Sequence, residues 1–241
     1  MHKNVSSGCG NEMGKKTKII LIISILLNVM LLIMAVFFFI KGYHKRALRP
    51  YLRDYYADKL SLFRNLPSAR TGIYFVGDSL TDRCEWAELL DRCDVFNRGV
   101  DADTTDGVLS RLGEVTARKP SKIFIMIGGN DFIIGRKVPE IEKNYKEIIL
   151  RIRTESPLTK IYIQSNLPTL HRLVPVPRNY IRELNNKLKS LADDRFIFFV
   201  DIYSRMVDKN GDLNPAYTTD GAHLNGAGYQ VWRDAIIKFV D

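Results

Sequence analysis

Apolar and polar positions divide this chain into two unlike parts. From Ile19 to Ile40 the residues are apolar, with only Ser24 and Asn28 interrupting. A helix of that length spans about 33 Å, against a bilayer hydrocarbon core of about 30 Å. The run has no polar face, so it does not read as the core helix of a globular domain. A cleaved signal peptide is the competing reading, but its apolar region is typically about 7–15 residues and precedes a small-x-small site. Here the run closes on Phe37-Phe38-Phe39-Ile40-Lys41. The pattern predicts an uncleaved transmembrane signal anchor over 19–40.

Beyond residue 70 the rhythm changes to short apolar runs alternating with helical periods. Strands are predicted at Gly72–Val76, Val95–Asn97, Lys122–Ile127, Lys160–Gln164 and Phe196–Val200. The third and fifth are apolar on consecutive residues, as in strands covered on both faces of a parallel sheet. Helices are predicted at Val138–Thr154, with Ile141, Tyr145, Ile148, Ile149 and Ile152 on one stripe, at Val176–Asp193, and at Gly226–Val240. Strand–helix alternation with right-handed crossovers gives an α/β domain, a three-layer αβα sandwich on a five-stranded, mainly parallel sheet. The organisation predicted is a polar tail at 1–18, disordered in composition, the span at 19–40, a basic and aromatic helical linker at 41–69 closed by Pro67, and the α/β domain at 70–241.

Charge sharpens this division. Residues 1–53 hold nine Lys or Arg and one acid, whereas the remaining 188 residues hold 27 basic and 26 acidic side chains. The basic balance therefore belongs to the segments flanking the span. That argues against nucleic acid as a partner, since a binding domain carries its own basic face, and suits anionic lipid head groups. Lys15, Lys16 and Lys18 precede the span while Lys41, Lys45, Arg46 and Arg49 follow it, so the positive-inside rule gives no clean orientation. One early span followed by a long domain favours a cytoplasmic tail and an extracytoplasmic domain. Cys9 lies in the tail, and Cys84 and Cys93 lie in the domain, where two buried thiols are preferred over a disulfide. No Cys/His spacing resembles a zinc site.

The chemistry-bearing residues fall after predicted strands, where open parallel sheets bind ligands. Ser79 follows the first strand in Gly77-Asp78-Ser79-Leu80, Gly99 follows the second, and Asn130 follows the third in Gly128-Gly129-Asn130-Asp131. Asp220 and His223 follow the fifth in Asp220-Gly221-Ala222-His223. Each has a bland reading. Ser79 is also a good helix cap, Asp78 and Asp220 are good turn residues, Asn130 suits a turn, Asp131 a cap, and His223 and His171 suit a surface. Phe132, Ile133 and Ile134 suit either an acyl pocket or the core. A serine hydroxyl becomes a nucleophile when a base takes its proton and a third group holds that base, and only the convergence of the set points to this.

Together the four blocks, in this order, resemble the SGNH, or GDSL-type, hydrolase superfamily over roughly residues 70–241, and in Asp212–Asp220 its platelet-activating-factor-acetylhydrolase-like and O-acetylesterase-like branches. The resemblance implies a flavodoxin-like sandwich, Ser79 as nucleophile, His223 as base and Asp220 as its orienting carboxylate. It implies an oxyanion hole from the backbone N–H groups of Ser79 and Gly99 and the side-chain amide of Asn130. No cofactor or metal is required. The function expected is a membrane-anchored serine esterase acting on a small acyl ester, such as an acetyl group on a sugar or cell-envelope glycan. A lysophospholipase or thioesterase, an O-acyltransferase using the same site, and a non-catalytic binding domain are the alternatives; oligomeric state stays open.

Overall fold

The computed structural model describes residues 14–67 and 71–240. They fall into two compact units, residues 1–53 and 54–241. Helix α1 (Lys15–Asn65) begins in the first. Within it Thr17–Phe38 is long and apolar enough to cross a membrane, and none of it is buried. Of the tail predicted to be disordered, positions up to 13, with Cys9, lie outside the described residues, while Lys15–Lys18 are already helical.

The second unit contains one sheet, built from β1 (Ile73–Gly77), β2 (Val95–Gly99), β3 (Lys122–Met126), β4 (Lys160–Gln164) and β5 (Ile197–Val200). All pairings are parallel, in the order β2-β1-β3-β4-β5. Successive side chains of β1 point to opposite faces, and each face has its own core. Ile73 and Phe75 pack with Phe124, Met126 and Tyr162 against Trp86, Trp232 and Ile236. The Phe75 ring stacks on Trp86 with centroids 4.0 Å apart. Tyr74 and Val76 pack with Ile123, Ile125, Ile161 and Ile163 on the other side. The first face is covered by α3 (Trp86–Leu89) and α9 (Gly226–Val240), the second by α4 (Thr105–Thr116), α6 (Val138–Glu155) and α7 (Arg178–Lys189). Helix α6 forms because Ile141, Tyr145, Ile148 and Ile152 recur at helical spacing and all bury.

Short elements sit at the carboxyl ends of the strands: α2 (Ser79–Asp82) after β1, α5 (Gly129–Ile133) after β3, and α8 (Tyr203–Met206) after β5. The five strands, the layers and the last helix match the sequence expectation, except that β2 runs on two residues beyond Asn97 to Gly99. Helix α7 is shorter than expected: it starts at Arg178, since Pro177 biases Val176 away from helical angles, and it ends at Lys189. Helix α4 was not foreseen.

Of the segment read as a linker, the part from Asp54 onward lies in this second unit. Phe63 is buried there, and the Arg98 guanidinium lies 4.7 Å above its ring. Arg118 closes the end of α1 by donating to the Phe63 and Leu66 carbonyls at 2.7 and 3.3 Å, and to that of Pro67. Cys84 is buried and Cys93 is exposed, both as free thiols, so burial of both holds only for the first. Cys93 sits in the turn entering β2, outside the packed layers.

Candidate active site

Strand β1 delivers the serine. Its chain stops extending at Asp78, whose carboxylate accepts the Leu80 N–H at 3.0 Å and caps α2. Asp78 thus fills the capping role open to Ser79, leaving the serine side chain uncommitted to the helix start. Burial pushes the Asp78 carboxyl up to about 7, with the neighbouring Asp103, Asp101 and Asp131 adding to it and the Leu80 N–H opposing.

Ser79 Oγ lies 3.0 Å from His223 Nε2, and His223 Nδ1 lies 2.6 Å from Asp220 Oδ2. A carboxylate only accepts, so Nδ1 carries the ring proton and Nε2 presents a lone pair to the serine O–H. The other Asp220 oxygen accepts the N–H groups of Ala222 and His223 at 2.9 and 2.8 Å. Partial burial disfavours the Asp220 anion, but the bond from the His223 ring and the two backbone donors overcome it and hold the carboxyl well below its ordinary range. The turn between them needs Gly221, which has φ +87° and would place a Cβ 3.0 Å from Leu173. The Leu170 N–H donates to the Gly221 carbonyl at 2.7 Å, fixing this loop to the one after β4.

The GGND segment is locked from below. Asp131 is fully buried and accepts from the Thr105 N–H and hydroxyl at 3.0 and 2.6 Å and from Arg136 at 2.8 Å. It is more than a cap, because it ties α5 to the start of α4. Asn130 Nδ2 donates to the Asp103 carbonyl at 2.9 Å. A primary amide has two N–H bonds, so a second donor is left over.

Gly99 does not join this site. Its N–H is committed to the Asn97 side chain at 2.7 Å. Its lack of a Cβ serves packing: one added there would stand 2.1 Å from the Asp82 nitrogen. The glycine lets α2 lie directly on β2. The turn that follows comes closer to Asn130. Ala102 has φ +59° and is exposed, its N–H meets no acceptor among the described residues, and Asp103 next to it holds the Asn130 amide.

Ser79, His223 and Asn130 share a pocket of about 110 Å³ with Asp78, Leu80, Ile133, Leu167, Pro168, Thr169 and Ala222. The Leu167–Thr169 wall was missed from sequence; its only signal was its place after a strand. Of the three apolar candidates, Ile133 lines the pocket and is exposed, Ile134 is exposed beside it, and Phe132 leans on the core. His171 lies outside the lining, with Nδ1 3.2 Å from the Val176 carbonyl.

The parallel αβα sandwich thus places a hydroxyl, an imidazole and a carboxylate in series at its carboxyl edge, where open α/β sheets bind ligands. The sequence profile of the GDSL-like lipase/acylhydrolase family matches residues 75–231. The chain is 30% identical over 164 residues to the rat platelet-activating factor acetylhydrolase IB subunit alpha2, covering 65% of this chain and 70% of that protein. Its fold superposes on a Streptococcus pneumoniae structure described as a platelet activating factor with TM-score 0.75 and 26% identity, covering 83% of this chain and 99% of that one. An acetylxylan esterase from Geobacillus stearothermophilus shares the fold at TM-score 0.59 and 20% identity, over 72% of this chain and 96% of that one. The chain belongs to the GDSL-like lipase/acylhydrolase family, within the SGNH hydrolase superfamily, and is a carboxylic ester hydrolase.

Proposed function

We propose that this protein is a serine esterase that removes short acyl groups, chiefly acetyl, from sugars or cell-envelope glycans, using Ser79, His223 and Asp220. The observation that carries the reading is the unbroken hydrogen-bond series from Ser79 through His223 to Asp220, opening into a small pocket. Ser79 Oγ attacks the ester carbonyl while His223 Nε2 takes its proton. Asp220 keeps the proton of the neutral ring on Nδ1 and stabilises the imidazolium that forms. His223 then protonates the leaving alcohol, and water attacks the acyl-enzyme by the reverse sequence.

Negative charge on the tetrahedral oxygen needs donors already in place. The Ser79 N–H, which has no acceptor among the described residues, and the second Asn130 amide N–H fill two of these positions. The third we assign to the N–H of Ala102, in place of Gly99, whose N–H is already spent on Asn97.

Pocket size supports a short acyl group. An engineered apolar cavity of about 150 Å³ holds a benzene ring, and the space here is about 110 Å³. A long chain would have to run out over exposed Ile133 and Ile134. Those two side chains favour a second reading, in which the acyl ester is carried by a lysophospholipid. We further propose that the apolar segment of α1 anchors the protein in a membrane, with the catalytic unit on the extracytoplasmic side.

An acyl-length series of p-nitrophenyl esters, acetyl to palmitoyl, tests the substrate reading on the full chain in detergent. Turnover peaking at acetyl or propionyl and at least tenfold lower by octanoyl is expected; a rate that is flat or rises with length overturns it.

A further inference from the structure

Three separate parts of the chain meet at the Asp82 carboxylate, whose side chain is only 5% exposed. Lys59 Nζ stands 2.6 Å from one oxygen. The Tyr55 hydroxyl donates to the other at 2.5 Å, and the Asp101 N–H donates to that same oxygen at 3.1 Å. A carboxylate this deep is costly unless its acceptors are filled, and here an ammonium, a phenol and a backbone amide fill them.

The positions of these groups carry the argument. Tyr55 and Lys59 are four residues apart on α1, so they project from one face. Asp82 is the last residue of α2, the helix that starts at Ser79. Asp101 immediately precedes Ala102 in the turn assigned above to the oxyanion. One buried carboxylate therefore joins the helix of the nucleophile to the oxyanion turn, and α1 grips it from behind. Tyr56 adds a parallel contact, its hydroxyl donating to the Gly107 carbonyl of α4 at 3.3 Å.

Helix α1 is also held at points away from this grip. Phe63 under Arg98, and the Arg118 bonds to the helix end, secure it about one turn or more further along. Tyr55 and Lys59 thus add contacts beyond those at the end of the helix, and both fall on a buried residue shared by the two halves of the site. The Arg83–Asp101 pair at 3.4 Å also joins those halves, nearer the surface. We propose that the Tyr55–Lys59 turn of α1 is a positioning element of the active site, acting through Asp82 to set Ser79 against the turn 100–103. The proposal rests on the triad reading above. It makes the helix leading from the apolar segment part of the catalytic framework.

The test uses the full chain in detergent, with p-nitrophenyl acetate as substrate. Tyr55→Phe, Lys59→Met, Lys59→Arg, Asp82→Asn and the double variant Tyr55→Phe/Asp82→Asn are compared with Asp58→Asn, an exposed control on the same helix. A misplacement of about 1 Å at a reacting centre can cost about 10²-fold in rate. Tyr55→Phe and Asp82→Asn are expected to lower kcat by about tenfold or more with KM within about twofold, Lys59→Arg to retain more kcat than Lys59→Met, and the double variant to fall short of the product of the singles. Asp58→Asn is expected to match wild type.

If melting temperature falls while kcat per folded molecule is unchanged, or if the two single losses multiply fully, the positioning role is overturned. Should Asp82→Asn not fold, Tyr55→Phe, which removes one oxygen atom, decides alone. A Ser79→Ala arm separates the two levels. Wild-type turnover in Ser79→Ala sinks the triad reading, whereas an inactive Ser79→Ala beside a fully active Tyr55→Phe sinks only the positioning role.

Discussion

Replacing Asp220 by asparagine isolates the charge that holds His223. Asn keeps an oxygen for the two backbone N–H groups that Asp220 now receives from Ala222 and His223, so the loop is expected to stay folded. What is lost is a negative charge 2.6 Å from the ring nitrogen when the imidazolium forms. Two unit charges about 4 Å apart attract by about 1 kcal/mol in bulk water and about 4 kcal/mol at an effective dielectric of about 20. Those limits correspond to about 5-fold and about 10³-fold in rate. Asp220 is about half exposed, at 53%, so its contribution falls between them, and kcat should drop by about 30- to 300-fold. In a triad whose acid is buried the same substitution costs about 10⁴-fold, and solvent around Asp220 is the reason for expecting less. The assay is steady-state hydrolysis of p-nitrophenyl acetate, with Ser79→Ala setting the floor and a melting curve checking the fold. A change under about threefold would refute the electrostatic role; a loss down to the Ser79→Ala floor would refute the argument from exposure.

Three further outcomes are expected. Asn130→Ala should cut kcat by about 10²–10³-fold with little change in KM, and steady-state kinetics showing a loss confined to KM would exclude an oxyanion role. Asp78 is held near pH 7 in the fold against an ordinary value of 3.8. Its protonated form contributes stability that is complete below about pH 4 and is lost as pH rises through about 7. Asp78→Asn, which keeps the cap to Leu80, should therefore gain melting temperature over wild type at pH 8 and much less at pH 4, and a pH-independent difference would contradict this. A chain starting at residue 70 should melt well below one starting at 54, because it loses burial of Phe63, about 1.5–3 kcal/mol, and strips Arg118 of its carbonyl acceptors; equal melting temperatures in thermal denaturation would show that α1 adds nothing to the unit.

Much of the sheet was legible because parallel strands covered on both faces leave runs such as Ile123–Ile127, which water would never tolerate. Strand β2 was read too short, as its last residues look polar. Asn97 is there to donate to the Thr81, Asp82 and Cys84 carbonyls, and Arg98 to reach Glu114 and the Phe63 ring. Helix α4 was hidden by Gly107 and Gly113 and by Arg111, which is buried where the period asks for an apolar residue because Asp103 pairs with it at 2.8 Å. In the site, Ser79, Asn130, Asp220 and His223 were named from blocks of sequence, but Gly99 was misread. A glycine beside a site looks the same whether it offers an N–H or makes room for a backbone; the bond from its N–H to Asn97 and the approach of Asp82 distinguish them. The segment 41–69 reads as basic and aromatic from its sequence, but the partners of Tyr55, Lys59 and Phe63, namely Asp82 and Arg98, lie more than 20 residues away and leave no local signal.

The reaction itself is tested most directly at the serine. The whole 241-residue chain treated with a fluorophosphonate should carry one covalent adduct, found by peptide mass spectrometry on Ser79, and lose acetyl-ester hydrolysis in proportion to labelling. His223→Ala should label at least a hundredfold more slowly, since the hydroxyl then has no base, and general-base assistance is worth about 10²–10⁴-fold. Hydrolysis that continues at the wild-type rate after complete labelling of Ser79, or in Ser79→Ala, would contradict the account.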